Sequence, residues 1–127
     1  MKPNLLLTIT SLLLIILAVA HLAQDIAYGY EPGNINNLLV APIAVVWLYG
    51  TLMLAERRSG HIIMLVGSLL ALGMPIVHVM AAGGIFHGQI ARIGPAFLFV
   101  WTLHAMGVTG MFSLILSVRG LWGPRRP

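Results

Sequence analysis

Long runs of apolar residues alternate along the chain with short polar segments. Four such runs cover residues 5–23, 38–55, 62–82 and 93–118. Each run contains between 18 and 26 residues, enough for an α-helix to cross a hydrocarbon core of about 30 Å. Their apolar residues are continuous rather than alternating, which favours helices over the strands of a membrane barrel. The pattern therefore predicts four membrane-spanning helices.

Polar residues between the runs set the expected helix ends. Gly29–Asn37 contains the turn pair Pro32-Gly33, and Asn36 or Asn37 is placed to cap the second helix. Because links this short join antiparallel neighbours, we predict an up-down-up-down bundle. The expected fold is an all-α integral membrane protein with one domain over residues 1–127, whose four transmembrane helices cover about residues 5–28, 37–56, 61–82 and 93–119.

The composition supports a lipid environment. The chain of 127 residues is 59% hydrophobic and 8% charged, whereas soluble domains carry about 25% charged residues. It contains no cysteine, which excludes disulfides and thiolate ligands. The formal net charge is +4, but no basic run exceeds two residues. The expected partner is therefore the lipid bilayer and not nucleic acid.

The distribution of basic residues predicts the orientation of the bundle. Arg92 is the one basic residue on its side of the predicted helices, where it accompanies Asp25 and Glu31. The opposite side carries the remaining basic residues: Lys2, Arg57, Arg58, Arg119, Arg125 and Arg126. Because cytoplasmic loops carry the excess of Lys and Arg, both termini are expected in the cytoplasm.

The first predicted helix has two interpretations. Lys2, an apolar core and the small residues Ala18-Val19-Ala20 imitate a cleavable signal peptide. The apolar run is nevertheless longer than the core of about 7–15 residues that a signal peptide usually has. We therefore predict an uncleaved transmembrane helix in a multi-pass protein.

A faint internal repeat relates the two halves of the chain. Ser11-Leu12-Leu13 precedes His21 by the same spacing that separates Ser68-Leu69-Leu70 from His78, an offset of 57 residues. Trp47 and Trp101 give a weaker match. Two duplicated helical hairpins would be related by an axis along the membrane normal, which would place the two histidines at one depth and pair the two tryptophans.

A polar cluster stands at the end of the first apolar run. His21, Gln24, Asp25 and Tyr28 have the spacing i, i+3, i+4 and i+7, which places all four on one helical face. Lipid disfavours such a face, so we expect it to turn into the bundle or toward a water-filled opening. Asp25 would orient the His21 imidazole. The alternative is that the helix surfaces here, with Tyr28 among the headgroups.

Two further histidines lie in later apolar runs. His78 follows Met74 by one turn and Pro75 by three residues, and a proline frees a backbone carbonyl that makes the site polar. His104 is placed near the membrane midplane on the face of Trp101. An ionisable residue at that depth indicates function, although a hydrogen bond to a neighbouring helix is the alternative.

The first hypothesis for function is binding or translocation of a small solute, a proton or a metal ion. The pocket would lie in the outer half of the bundle, with His21, Asp25 and His78 as metal ligands. His104 would join them, and the lining would be Gln24, Tyr28, Met74 and Trp101. Histidine together with methionine would suit a copper-like ion better than magnesium or calcium.

Two other hypotheses remain compatible with the sequence. Small residues spaced four apart suit tight helix contacts, as in a homo-oligomer or an accessory subunit of a larger membrane complex. A b-type haem would need axial ligands from facing helices, which His21 and His78 would supply, with His104 able to replace either. No soluble-enzyme motif occurs and only three acidic residues are present, which argues against an enzyme.

Overall fold

A computed structural model of the protein describes residues 3–80 and 94–123, and these residues form four α-helices and one 3-10 helix. The α-helices are α1 (Pro3–Ala27), α2 (Val40–Met53), α3 (Arg58–Met80) and α4 (Gly94–Trp122). The described part of the chain is all-helical. It contains four segments long and apolar enough to cross a membrane, namely Asn4–Ala27, Ile35–Met53, Arg58–His78 and Phe97–Trp122. This coarse prediction is confirmed.

The second predicted helix differs most from the structure. Its first turn is a 3-10 helix over Ile35–Leu39, and Asn34 caps it rather than Asn36 or Asn37. The Asn34 side chain accepts a bond of 2.8 Å from the N–H of Asn36, and Asn37 Oδ1 accepts one of 2.9 Å from the N–H of Asn34. This reciprocal capping box satisfies backbone groups that the new helix leaves free.

The other helix ends shift by a few residues. α1 and α3 begin earlier than predicted, at Pro3 and Arg58, and α4 continues to Trp122. The predicted link over 83–92, with Arg92, lies outside the described residues, as do Lys2, Arg125 and Arg126.

A Schellman motif ends α1 and reverses the chain. Gly29 has a φ of 75°, a left-handed conformation that costs glycine no steric clash. The N–H of Tyr30 donates to the carbonyl of Asp25 at 2.8 Å, and the N–H of Gly29 donates to that of Ile26 at 3.1 Å. These two bonds satisfy terminal carbonyls that α1 cannot bond itself. They also turn Tyr30 back toward the bundle.

α3 and α4 pack as an antiparallel pair. Ser68 is hydrogen-bonded to Ser113 at 2.8 Å, and a Cβ on Gly107 would lie 3.5 Å from Pro75. A Cβ on Gly110 would stand 3.4 Å from backbone atoms of Ser68 and Leu72. Glycine therefore lets the two backbones approach closely, as small residues do in membrane bundles.

α2 is held to its neighbours through Trp47, which is buried against the backbone of Gly67 on α3. The indole N–H of Trp47 donates to Ser11 on α1 at 3.0 Å, and Ser11 is also 2.8 Å from the hydroxyl of Thr51. Ser11 and Ser68, counterparts in the repeat, thus each bond a hydroxyl on the following helix. The predicted pairing of the tryptophans is wrong, because Trp101 is 64% exposed and stacks on Phe97 instead.

We expect Gly67→Ala to lower the stability of the bundle by about 1–3 kcal/mol, the usual cost of overpacking. The added Cβ would overlap the Trp47 indole and would displace it from Ser11. Thermal unfolding in detergent measures the effect. Gly73→Ala is the matched control, since a Cβ there meets no atom within 4 Å. Equal melting temperatures for the two variants would contradict the close contact.

We expect Gly29→Ala to destabilise the protein by about 1 kcal/mol, because alanine disfavours the left-handed conformation. A Cβ at this position meets no atom within 4 Å, so the loss is one of backbone conformation alone. Gly29→Asn should recover part of the stability, since asparagine tolerates this conformation better. The two variants should therefore differ in melting temperature, and an alanine variant as stable as the wild type would argue against the motif.

Candidate metal centre

Three side chains from two helices converge at the end of α1. His21 Nε2 lies 3.4 Å from Asp25 Oδ2, and His78 Nε2 lies 3.3 Å from Asp25 Oδ1. One ligand atom from each residue lies within 4.8 Å of the others. The side chains of His21 and Asp25 are 2% and 7% exposed, and that of His78 is 21% exposed. The cluster is therefore closed toward the bundle and partly open at His78.

The secondary structure explains this convergence. His21 and Asp25 stand on consecutive turns of α1, four residues apart, and so share one face. The backbone carbonyl of Asp25 accepts the Schellman bond from Tyr30 and a further bond from the N–H of Glu31, which anchors this turn. His78 lies near the end of α3, one turn beyond Met74, whose carbonyl is 2.9 Å from its Nδ1.

The hydrogen bond of His78 defines which of its nitrogens carries a proton. A backbone carbonyl only accepts, so Nδ1 must donate to the carbonyl of Met74. In a neutral imidazole, Nε2 then presents a lone pair to the Asp25 carboxylate 3.3 Å away. Two lone pairs in this position repel each other. The arrangement is stable only if a proton or another cation lies between Nε2 and the carboxylate.

His21 has two buried nitrogen atoms without a hydrogen-bond partner, more than any other described residue. It is 1% exposed, and neither Nδ1 nor Nε2 has a hydrogen-bond partner in the described part of the chain. Burying a polar atom without a partner costs on the order of 1–3 kcal/mol. A cation bound between Nε2 and Asp25 would use the lone pair and would remove part of this cost.

Aromatic side chains cover the cluster on one side. The Phe99 ring on α4 is 1% exposed and lies 4.9 Å from the His21 ring and 5.6 Å from the His78 ring. Tyr30 packs on Phe99 at 5.2 Å and Tyr28 at 6.0 Å. Phe99 and Tyr30 were not predicted from the sequence, although the expected antiparallel order places the start of α4 beside the end of α1.

The larger pocket predicted from the sequence does not form as expected. His104 is exposed and its Nδ1 donates to the carbonyl of Val100 at 2.8 Å. Met74 and Trp101 are 44% and 64% exposed. The reason is the rotation of α4, which buries Phe99, Leu103 and Met106 and therefore turns residues 101 and 104 outward. Gln24, in contrast, directly precedes Asp25 in the sequence. Its Oε1 is buried and has no hydrogen-bond partner among the described residues.

The donor set is two imidazole nitrogens and one carboxylate. His21 Nε2 and His78 Nε2 approach different oxygens of the Asp25 carboxylate, at 3.4 and 3.3 Å, and the ligand atoms of the three residues lie within 4.8 Å of one another. Two ligands of a tetrahedral ion with bonds of about 2.0–2.2 Å lie roughly 3.3–3.5 Å apart, so the two imidazoles would move closer together on binding an ion. Such a mixed set suits zinc and neighbouring divalent ions. Among the described side chains, Met106 belongs to the apolar core and Met74 is exposed, so neither supports the copper-like ion predicted from the sequence. The side chain of Met80 lies outside those described.

The same geometry does not suit a haem. Bis-histidine ligation places the iron and the porphyrin plane between two imidazoles. Here the rings of His21 and His78 meet edge to face with centroids 4.8 Å apart, and Asp25 contacts both. His104 cannot replace either ring, because it lies on the exposed face of α4. The two imidazoles therefore pack too closely to hold a porphyrin between them, and the geometry does not support the haem hypothesis.

Comparison of the chain with protein-family models, with curated protein sequences and with solved structures finds no match.

Proposed function

We propose that the protein spans a membrane with four helices and binds one divalent transition-metal ion, of the zinc class, through His21, Asp25 and His78. The observation that carries this proposal is the buried His21 imidazole. It has no hydrogen-bond partner among the described residues, yet its ligand atom lies within 4.8 Å of those of a carboxylate and a second imidazole.

The distribution of polar and apolar residues supports the membrane part of the proposal. Large apolar side chains are exposed on every helix, for example Ile16 at 64%, Val45 at 64%, Val77 at 59% and Val108 at 74%. Fully buried positions, in contrast, include the hydroxyl residues Ser11, Thr51, Ser68 and Ser113. A soluble domain would aggregate through such a surface, whereas lipid covers it and leaves polar groups to bond inside.

The orientation proposed from the sequence places the metal centre at the outer side of the membrane. His78 lies at the opposite end of α3 from Arg57 and Arg58, which are exposed where α3 begins. Since basic residues favour the cytoplasmic side, that end of the bundle and both termini would be cytoplasmic.

The donor set supports an ion of the zinc class over calcium or magnesium. The hard cations prefer oxygen ligands, and calcium takes six to eight of them, whereas this cluster supplies one carboxylate. Imidazole nitrogen is a good ligand for zinc, iron, nickel and copper(II). The carboxylate would also neutralise part of the charge that the ion brings into a poorly hydrated site.

The packing below the site favours binding over passage through the bundle. Leu14, Ala71 and Met106 form a buried apolar cluster with Trp47. Each of the first three lies seven residues from His21, His78 or Phe99 along its own helix, a distance of about 10 Å. A layer of this kind separates the metal centre from the hydroxyl groups deeper in the bundle and would oppose movement of an ion between them.

A proton is the second candidate occupant of the same cluster. The donation from His78 Nδ1 to Met74 leaves Nε2 directed at Asp25, and a shared proton would satisfy this pair as a metal ion would. The protein would then be a proton-binding membrane protein, and histidine suits this role because it titrates near neutral pH.

Purified protein in detergent should bind one equivalent of Zn²⁺ or Co²⁺. His21→Ala, His78→Ala and Asp25→Asn should each weaken binding by more than about 100-fold, because losing even an outer-shell partner costs about 10–100-fold. Titration calorimetry measures the affinity, and the visible spectrum of Co²⁺ reports a low coordination number. His104→Ala is the matched control, since that imidazole is exposed and bonds the carbonyl of Val100 on its own helix.

The pH dependence separates the metal from the proton. Metal affinity should fall between about pH 7.5 and pH 5.5, because protons compete for the imidazole nitrogens. Unchanged stoichiometry in His21→Ala, or an equal loss in His104→Ala, would overturn the metal site. Failure of the wild-type protein to bind either ion at about pH 7.5 would leave the proton as the occupant.

The orientation is tested by two substitutions in the cysteine-free chain. Glu31→Cys lies between α1 and α2, Glu56→Cys lies between α2 and α3, and both positions are exposed. In intact cells, a membrane-impermeant maleimide should label Glu31→Cys alone. Both variants should be labelled after permeabilisation. Labelling of both, or of Glu56→Cys alone, before permeabilisation would contradict the proposed topology.

A further inference from the structure

A groove between α2 and α3 lies toward the opposite end of α3 from the metal centre. It has a volume of about 400 Å³ and its lining is apolar, with Val46 and Trp47 on one wall and Ile62, Val66 and Leu70 on the other. Gly67 forms part of its floor, where the Trp47 indole lies directly against the glycine backbone. The groove is therefore formed by the contact between two helices and does not lie at a chain end.

The length of the groove matches one membrane leaflet. From Ile62 to Leu70 α3 rises by about 12 Å, and half of a hydrocarbon core of about 30 Å is about 15 Å. Leu70 stands near the middle of α3, which runs over Arg58–Met80. A partner helix would be expected to contact α3 along more of its length, whereas a lipid acyl chain ends near the midplane.

Positive charge lies at the mouth of the groove. Arg58, Ile62, Val66 and Leu70 are spaced four residues apart, so they form one stripe along α3. Arg58 and the neighbouring Arg57 are both exposed, as is Glu56, which leaves a net positive charge at this helix end. Basic residues next to an apolar groove at the membrane surface are the arrangement that binds anionic lipid headgroups.

We infer that this groove binds an anionic phospholipid of the surrounding leaflet. One acyl chain would lie along Ile62, Val66 and Leu70, and the phosphate would lie at Arg57 and Arg58. This inference rests on the membrane-spanning part of the proposed function and does not depend on the metal centre.

Trp47 provides the probe, because its indole lines the groove. The other two tryptophans are 64% and 85% exposed, so Trp101→Phe and Trp122→Phe remove their fluorescence at little structural cost. This single-tryptophan protein is reconstituted in vesicles containing phosphatidylglycerol or phosphatidylcholine brominated on the acyl chain. Brominated phosphatidylglycerol should quench Trp47 more strongly than brominated phosphatidylcholine at equal mole fraction.

The arginines should account for this preference. Each basic residue near the surface contributes about five-fold to binding of anionic lipid, so Arg57→Gln with Arg58→Gln should bring the two lipids to equal quenching. Arg119→Gln is the matched control, since Arg119 is an exposed arginine at the same end of the bundle on α4. In this control the preference should persist.

Three outcomes would overturn the inference. The first is equal quenching by the two lipids in the protein with both arginines. The second is an equal loss of preference in Arg119→Gln, which would indicate a general surface-charge effect. The third is absence of quenching by either lipid, which would indicate that protein covers the groove. The melting temperature, measured on the same preparation, should be unchanged by the arginine substitutions and shows whether those variants are folded.

Discussion

Hydrogen bonds between buried side chains on different helices organise the described part of the bundle. Ser11 meets Trp47 and Thr51 on α2, and Ser68 meets Ser113 on α4. Each bond requires a close approach of two helices, which Gly67 and Gly110 permit. In membranes such bonds are worth on the order of 1 kcal/mol each, so they define the register of the helices more than they supply the stability.

The cluster at His21 also joins two helices, but it leaves buried polar atoms without a hydrogen-bond partner. Asp25 and His78 face each other across two helices, while both nitrogens of His21 lack a hydrogen-bond partner in the described part of the chain. The buried hydroxyls of Ser11, Thr51 and Ser68 each bond a backbone carbonyl or another hydroxyl, whereas that of Ser117 has no partner among the described residues. His21 differs from Ser117 because both of its ring nitrogens are unpaired beside a carboxylate, and this combination favours a ligand over packing alone.

The sequence predicted the four apolar helices and the convergence of His21, Asp25 and His78, but it could not predict which face of α4 would be buried. Spacing on α1 places its polar residues on one face, and the repeat relates His21 to His78. α4, however, carries polar residues on both faces: Thr102, Ser113 and Ser117 are buried, whereas His104 is exposed, and the ionisable His104 indicated the wrong face. Its rotation is decided by glycine contacts at Gly107 and Gly110 with α3, which depend on the partner surface. For this reason His104 was placed inside and Phe99 was overlooked.

α3 connects the two sites, because it carries His78 at one end and Arg58 with the groove at the other. Between them Ser68 and Ala71 are buried, Ser68 bonded to α4 and Ala71 packed in the apolar cluster. This central segment is held on both sides, by Trp47 from α2 and by Gly110 from α4. The two ends of α3 carry different functional groups. One end places an imidazole beside the Asp25 carboxylate, close to the turn at Gly29, and the other end carries guanidinium groups where the chain turns after α2. The sites are then related by the helix that positions them, and binding at one end need not alter the other.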